Sequence, residues 1–255
     1  MIIEYQRPKT ITEALTLLSR EQPRTYPLGG GTVLNRSGDE PFAVIDLQDL
    51  KLNSLTRQGN TIQIGATTTL QSLHDYKGLP EAFYTVIRRE ATYNLRTMAT
   101  IAGTLVTANG KSSFTTMMLA LDTSLEFLEA DKAPIQMRLG DWLPLRSEKT
   151  PGRLISKISF PVNVKVAYES VARSPADQPI VCAALAQWPS GRTRLALGGW
   201  GGAPCLAMDG PEADGIEEAA KNAYSQAADE WASSEYRLDM AGVLAVRCIK
   251  QIIME

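Results

Sequence analysis

An α+β fold is what the sequence predicts, on three observations. Apolar residues recur at helical spacing in several separated segments, compact or alternating apolar strands lie between them, and turn signals punctuate the whole. With 255 residues, 44% of them hydrophobic, the chain suits one large domain or two ordinary ones around a sizeable core. No internal repeat or low-complexity tract interrupts it.

The elements follow in order. Thr10 and Glu13 stand at capping-box spacing, and Ile11, Ala14, Leu15 and Leu18 fall at i, i+3, i+4 and i+7, so a helix opens the fold. "FAVIDL" is a compact strand, and "TIQIGATTTL" is another, entered through the turn Gln58-Gly59-Asn60 and followed by a helix over "LQSLHDY". Phe114, Met117, Met118 and Leu121 take a second helical stripe, in which the methionines read as core filling. "SLEFLEA" and "PIQMRL" then alternate as a hairpin around Asp131-Lys132.

Near Pro161 the texture changes. "VNVKVAYESVA" alternates strictly, and "PIVCAALAQW" and "RTRLALGGW" flank the turn Pro189-Ser190-Gly191. Two helices close the chain: one with Ile216, Ala219, Ala220, Ala223 and Ala227 on one face, the last with Met240, Val243, Leu244 and Cys248 in step. The expected division is therefore into domains 1–160 and 161–255, the second also α+β.

Charge and composition exclude several functions. A formal net charge of -2, a pI near 5.6 and no basic run longer than Arg88-Arg89 give nucleic acid or an acidic membrane nothing to hold. "MIIEYQRPKT" lacks a basic segment followed by an apolar run, and no stretch of about 18 apolar residues occurs, so a cytoplasmic protein is expected. Cys182, Cys205 and Cys248 are far apart with no C-x-x-C, which argues for packing residues rather than a disulfide framework, zinc or an iron–sulfur cluster in this chain. His74 is the only histidine, so a multi-histidine metal site is impossible, and no G-x-S-x-G elbow offers it a nucleophile.

The chemistry gathers at "RTYPLGGGTVLN", residues 24–35. Each glycine gives up roughly 0.5–1 kcal/mol relative to alanine in a regular element, so Gly29, Gly30 and Gly31 serve geometry. A Rossmann fingerprint starting at Gly29 needs glycine where Leu34 stands. A Walker A loop ending at Gly110-Lys111-Ser112 needs its first glycine at Leu105, which leaves Lys111 a solvated loop residue. The third reading pairs "PLGGGTVLN" with "ATIAGTLVTANGKSS": two small-residue loops whose successive amides form anion-binding concavities and cradle one pyrophosphate. Two tight turns are the alternative.

The order of "RTYPLGGGTVLN", "AVIDLQDL", "IQIGATTTLQSL", "NLRTMATIAGTLVTANGKSSFTTMMLALDTSLEFL" and "SSEYRLDMAGVLAVR" resembles the FAD-binding subunit of molybdenum hydroxylases, the family of xanthine dehydrogenase, aldehyde oxidoreductases and aerobic carbon monoxide dehydrogenase. The resemblance implies a two-lobed FAD-binding domain of the vanillyl-alcohol-oxidase type over 1–160, then a smaller α+β domain of the CO dehydrogenase flavoprotein C-terminal type over 161–255. It places the first phosphate loop on Leu28, Gly29, Gly30, Gly31, Thr32, Val33 and Leu34. Gly30, Gly31 and Thr32 match the family's A-G-G-T-D, while Val33 replaces the polar residue that follows. The family's T-I-G-G-N falls on Thr100, Ile101, Ala102, Gly103 and Thr104, from which Ala102 and Thr104 depart. Ser113 stands where the family has an FAD-contacting aspartate, and Glu169 where a lysine is often found.

What the resemblance implies for function is an electron-transfer flavoprotein subunit. A partner chain carries molybdopterin, another carries two [2Fe-2S] clusters, and FAD on this chain passes electrons to NAD, oxygen or another acceptor. A subunit that docks its partners without flavin is the alternative, motivated by the departures. Two substitutions carry expectations: Gly30→Val should expel FAD while leaving the fold largely intact, and Ser113→Asp should tighten FAD binding.

Overall fold

The computed structural model describes residues 1–34, 40–146 and 152–254. The chain begins with β1 (Ile2–Gln6), α1 (Ile11–Ser19), β2 (Thr25–Leu28) and β3 (Phe42–Asp46). β4 (Leu55–Gln58), β5 (Thr61–Gly65) and α2 (Leu70–Asp75) follow. Then come α3 (Glu81–Glu90), α4 (Tyr93–Arg96), α5 (Ile101–Thr107) and α6 (Ser113–Ala120). β6 (Ser124–Leu128), β7 (Ile135–Arg138) and α7 (Leu139–Trp142) lead to β8 (Leu154–Pro161) and β9 (Lys165–Val171). The chain closes with β10 (Val181–Gln187), β11 (Thr193–Gly198), β12 (Cys205–Gly210), α8 (Ile216–Ala223) and α9 (Ser234–Met254).

Two compact units emerge, and they interleave in sequence. The first gathers Met1–Asp75, Tyr93–Thr107 and Ser124–Ser159; the second gathers Tyr76–Thr92, Ala108–Thr123 and Phe160–Glu255. The second unit thus draws in two segments that lie before residue 160, because α3 and α6 pack with strands of the C-terminal sheet. A reading of texture along the chain has no access to that pairing.

In the first unit, β1, β3 and β2 form a parallel sheet in that order. α1 covers it, joining Ala14, Leu15 and Leu18 to Ile45, Leu47 and Leu50 in one apolar cluster. The helix starts where the sequence predicts. Thr10 Oγ1 accepts the Glu13 N–H at 3.2 Å, and the Glu13 carboxylate accepts the Lys9 N–H at 2.9 Å. The second sheet runs β4-β5-β8-β6-β7, with Asp131-Lys132 between the antiparallel pair β6 and β7.

The second unit is built on the antiparallel sheet β12-β11-β10-β9. α8 and α9 bury Ile216, Ala220, Ala241, Leu244, Ala245, Cys248 and Ile252 with Leu185, Leu195 and Leu197. The buried face of α9 differs from the expected stripe: Val243 is 39% exposed, while Arg237 is fully buried. Its guanidinium bonds both Asp229 carboxylate oxygens, at 2.9 and 3.0 Å, and the carbonyls of Ile180 and Ala227. Anchoring at position 237 puts 241, 244, 248 and 252 inward, three and four residues apart. Ala227, expected on the face of α8, lies past the end of that helix but is still buried.

α6 is buried all round rather than along a stripe. Its entry explains the Walker-like Gly110-Lys111-Ser112. A Cβ on Gly110 would lie 1.8 Å from the Trp200 carbonyl oxygen, and Gly110 exchanges hydrogen bonds with Gly199 and Gly201. Ser112 caps the helix by accepting the Thr115 N–H. Lys111 is not the solvated residue expected, since its Nζ lies 3.8 Å from the centroid of the Trp231 ring. Lys111→Ala should therefore lower stability by about 0.5–1 kcal/mol through the lost cation–π contact, read by urea denaturation. ATP should shift the melting temperature of neither form; an ATP-dependent shift lost in the variant would restore the phosphate-lysine reading.

The cysteines pack. Cys182 and Cys248 are buried, and burial pushes the Cys182 thiol up to about 11 and Cys248 above its ordinary range, so both stay protonated thiols at neutral pH. Among the described residues, no helix is long and apolar enough to cross a membrane.

Candidate dinucleotide cleft

A cleft of about 610 Å³ lies within the first unit, in the size range of small-molecule sites. Of the residues singled out by sequence, Gly29, Gly30, Gly31, Thr32, Val33, Leu34, Thr100, Ala102 and Gly103 line it. Leu28, Ile101 and Thr104 are next to these in the chain but are not among the lining residues. Ile101 is fully buried, and Thr104 Oγ1 is turned back onto the Thr100 carbonyl at 2.9 Å. Asn35, the last residue of the glycine motif, lies outside the described residues.

The glycines answer two demands at once. A Cβ on Gly30 would meet the Met98 carbonyl oxygen at 1.7 Å, and one on Gly29 would meet Thr100 Oγ1 at 2.8 Å. The loop after β2 is therefore seated against the segment 98–100, closer than any side chain permits. Gly31 has φ +68°, the left-handed region that favours glycine. Among the described residues, no hydrogen bond engages the amides of Gly29, Gly30 or Gly31. Three successive N–H groups are thus available at one end of the cleft.

The second small-residue stretch behaves differently. It is not the loop that the sequence suggests but the short helix α5, and its first amides are all engaged. Ile101 and Ala102 donate to the carbonyls of Thr68 and Ala66, at 2.8 and 3.3 Å. Gly103 donates to Thr100 Oγ1 at 3.2 Å, and Thr104 to the Thr100 carbonyl at 2.9 Å. Two amide loops around one anion is consequently corrected to one open loop and one supporting segment. Its small residues have a packing reason, since a Cβ at Gly103 would also crowd Thr100 Oγ1 at 2.8 Å.

Ser113 belongs to the second unit, in the first turn of α6. It is 1% exposed and accepts a hydrogen bond of 2.7 Å from the Tyr168 hydroxyl. Beside it the Glu90 carboxylate accepts from Ser112 Oγ at 3.0 Å and from the Phe114 N–H at 2.9 Å. Burial raises the Glu90 carboxyl above its usual range against these stabilising bonds.

Sequence reasoning missed the arginines. Arg20, Arg24, Arg146 and Arg153 line the cleft, with Glu21 as its acidic member. Arg20 pairs with Glu4 at 2.9 Å, and Arg153 pairs with Glu129. Arg24 lies over the Tyr26 ring, 4.9 Å from its centroid, and burial pushes the Arg146 guanidinium down from its ordinary value. Arg24 alone had a local signal, as the first residue of the glycine motif, immediately before β2. The others lie just after α1, just before β8 and in the turn after α7, and only the fold unites them.

Open glycine amides, guanidinium groups and aromatic rings in one cleft fit a molecule that carries both a diphosphate and flat heterocycles. That is the chemistry of a dinucleotide. Residues 1–163 match the family described as the FAD binding domain in molybdopterin dehydrogenase, and the chain belongs to this family. The Escherichia coli protein YgfM is 28% identical over 251 residues, covering 96% of this chain and 94% of that protein. The carbon monoxide dehydrogenase medium chain of Afipia carboxidovorans is 26% identical, with 97% and 96% covered. In structure, the reconstituted CO dehydrogenase from Oligotropha carboxidovorans matches with a TM-score of 0.83 over 97% of this chain and 96% of that one, at 23% identity. The α+β fold and the family implied by the sequence resemblance are thereby shown.

Proposed function

We propose that this chain is the electron-transfer subunit of a molybdenum hydroxylase complex, holding FAD with its diphosphate on the amides of Gly29, Gly30 and Gly31. The open, positive-φ glycine loop in an arginine-lined cleft is the observation that carries this reading. When bound, FAD supplies the redox chemistry, accepting electrons from iron–sulfur clusters on a partner chain and delivering them to NAD, oxygen or another acceptor. The protein's own part is to bind and orient: glycine amides donate to the diphosphate, the guanidinium groups of Arg24 and Arg146 add positive potential, and the buried floor of Leu18, Leu47 and Leu154 excludes water. No side chain of the cleft is required as a general acid or base. The partners this reading requires are a molybdopterin-binding chain and an iron–sulfur chain, in a cytoplasmic complex.

One observation favours the flavin-free docking subunit as a second reading. The amides of α5 are engaged internally, so fewer donors face an anion than in a two-loop cradle. Colour separates the two. Purified chain should be yellow and release stoichiometric FAD on denaturation; a colourless chain that cannot be loaded with added FAD would leave the docking role.

A further inference from the structure

The last helix has two faces. Ala241, Leu244, Ala245, Cys248 and Ile252 of α9 are buried, on the side packed against β9, β10 and α8. Tyr236, Asp239, Val243, Arg247 and Lys250 are exposed, and their spacing of three, four, four and three residues sets them in one row on the opposite side. Tyr236 keeps 41% and Val243 39% of its surface in water. Among the described residues, no ion pair or side-chain hydrogen bond engages Asp239, Arg247 or Lys250. Lys221 of α8 feels the Asp239 charge, but its ammonium is bonded to Glu217 at 2.6 Å.

An exposed valine or tyrosine by itself calls for no explanation. The order of this row does, because it reads as its own complement about Val243. Asp239 stands four residues before the valine and Arg247 four after; Tyr236 stands seven before and Lys250 seven after. Where two such helices cross antiparallel at Val243, each residue faces the one equally far beyond the crossing on the other copy. Val243 then packs on Val243, both Asp239 carboxylates meet Arg247 guanidinium groups, and both Tyr236 rings meet Lys250 ammonium groups. A parallel pairing would instead set Asp239 against Asp239 and Arg247 against Arg247.

We propose that the outer face of α9 docks a second copy of this chain, antiparallel about a two-fold axis at Val243. A two-fold contact uses the same patch on both copies, so the patch must complement itself and every unlike pair occurs twice. Valine and tyrosine provide the apolar area, while the charges set direction and register, since exposed ion pairs add little strength. A helix of 21 residues is about 31 Å long, and one helix pair buries less than the standard interface of about 1,600 Å², so a dissociation constant in the micromolar range is expected. The inference concerns the second unit alone and holds whether or not the first carries FAD.

The test is sedimentation velocity of the purified chain from about 1 to 100 μM. Wild type should pass reversibly from monomer to dimer over that range. Val243→Asp sets two carboxylates face to face on the axis and should abolish the dimer, with an unchanged circular dichroism spectrum because the side chain is exposed. If that variant does not fold, the charge variants carry the test. Asp239→Arg and Arg247→Asp should each weaken dimerisation about tenfold or more, since each places two like-charged pairs in the contact. The double variant Asp239→Arg/Arg247→Asp regenerates both pairs across the axis and should dimerise like wild type. Positions 239 and 247 are too far apart to pair within one helix, so that recovery reports the contact between copies. A chain that stays monomeric at about 100 μM overturns the inference and leaves this face to a partner chain. A dimer indifferent to Val243→Asp, or a double variant no better than the singles, overturns it as well.

Discussion

Gly30→Val is expected to lose both FAD and a large part of the protein's stability. Its Cβ would stand 1.7 Å from the Met98 carbonyl oxygen and 2.5 Å from the carbonyl carbon. Both neighbours are backbone, so no rotamer relieves the clash; the loop after β2 or the segment before α5 must move. Overpacking commonly costs 1–3 kcal/mol when side chains can adjust, and here they cannot, so about 3 kcal/mol or more is expected. That corresponds to a melting temperature lower by roughly 10 °C in a chain of this size. The result departs from what the glycines suggest in sequence, where their freedom looks reserved for the ligand and a valine looks harmless to the fold. Thermal melting together with flavin content checks it, and a valine variant that melts like wild type would mean that the loop is not seated on Met98. Gly31→Ala is a milder control: at φ +68° it carries a strain of about 1–2 kcal/mol but meets only the Leu28 side chain.

The elements with local causes were legible in the sequence. α1 has a cap and a stripe within its own residues, the β6–β7 hairpin has a turn between alternating strands, and β9 to β11 alternate or flank an obvious turn; each forms as read. The cleft was half legible. Gly29 to Leu34 line it as expected, because a three-glycine run needs an explanation that only close approach or positive φ supplies. Arg20, Arg146, Arg153 and Trp142 were not, because each lies in a different part of the chain and none sits in an unusual local pattern. α5 was misread as a loop for a related reason. Its small residues suggest a turn, yet the helix is held from outside by the carbonyls of Ala66 and Thr68, which accept the Ala102 and Ile101 amides. The interleaving of the two units is likewise a tertiary fact, since α3 and α6 carry ordinary helical sequence whose destination depends on the C-terminal sheet.

Ser113→Asp, expected from the family pattern to strengthen FAD binding, is instead expected to weaken the fold. The serine is buried, its Oγ accepts the Tyr168 hydroxyl, and the Glu90 carboxyl is bonded to Ser112 and Phe114 on either side of it in the chain. An aspartate would bring a second carboxylate into an enclosure where burial already raises the first. Two carboxyl groups so placed cannot both ionise cheaply, so at least one is held protonated well above its unfolded value. The sign follows from linkage. A carboxyl whose folded pKa is raised favours the fold below its unfolded pKa, and that contribution is lost as pH rises through the folded value. The variant should thus be closest to wild type near pH 4 and fall behind by about 2–4 kcal/mol at pH 7, the usual range for a poorly compensated buried charge. Urea denaturation of both proteins across that interval measures the difference directly. Equal stability at pH 7, accompanied by tighter FAD binding, would show that position 113 faces the cofactor and that Glu90 is not its neighbour in solution. A deficit that grows with pH, with FAD affinity unimproved, identifies the serine as a residue that lets Glu90 keep its place at the start of α6.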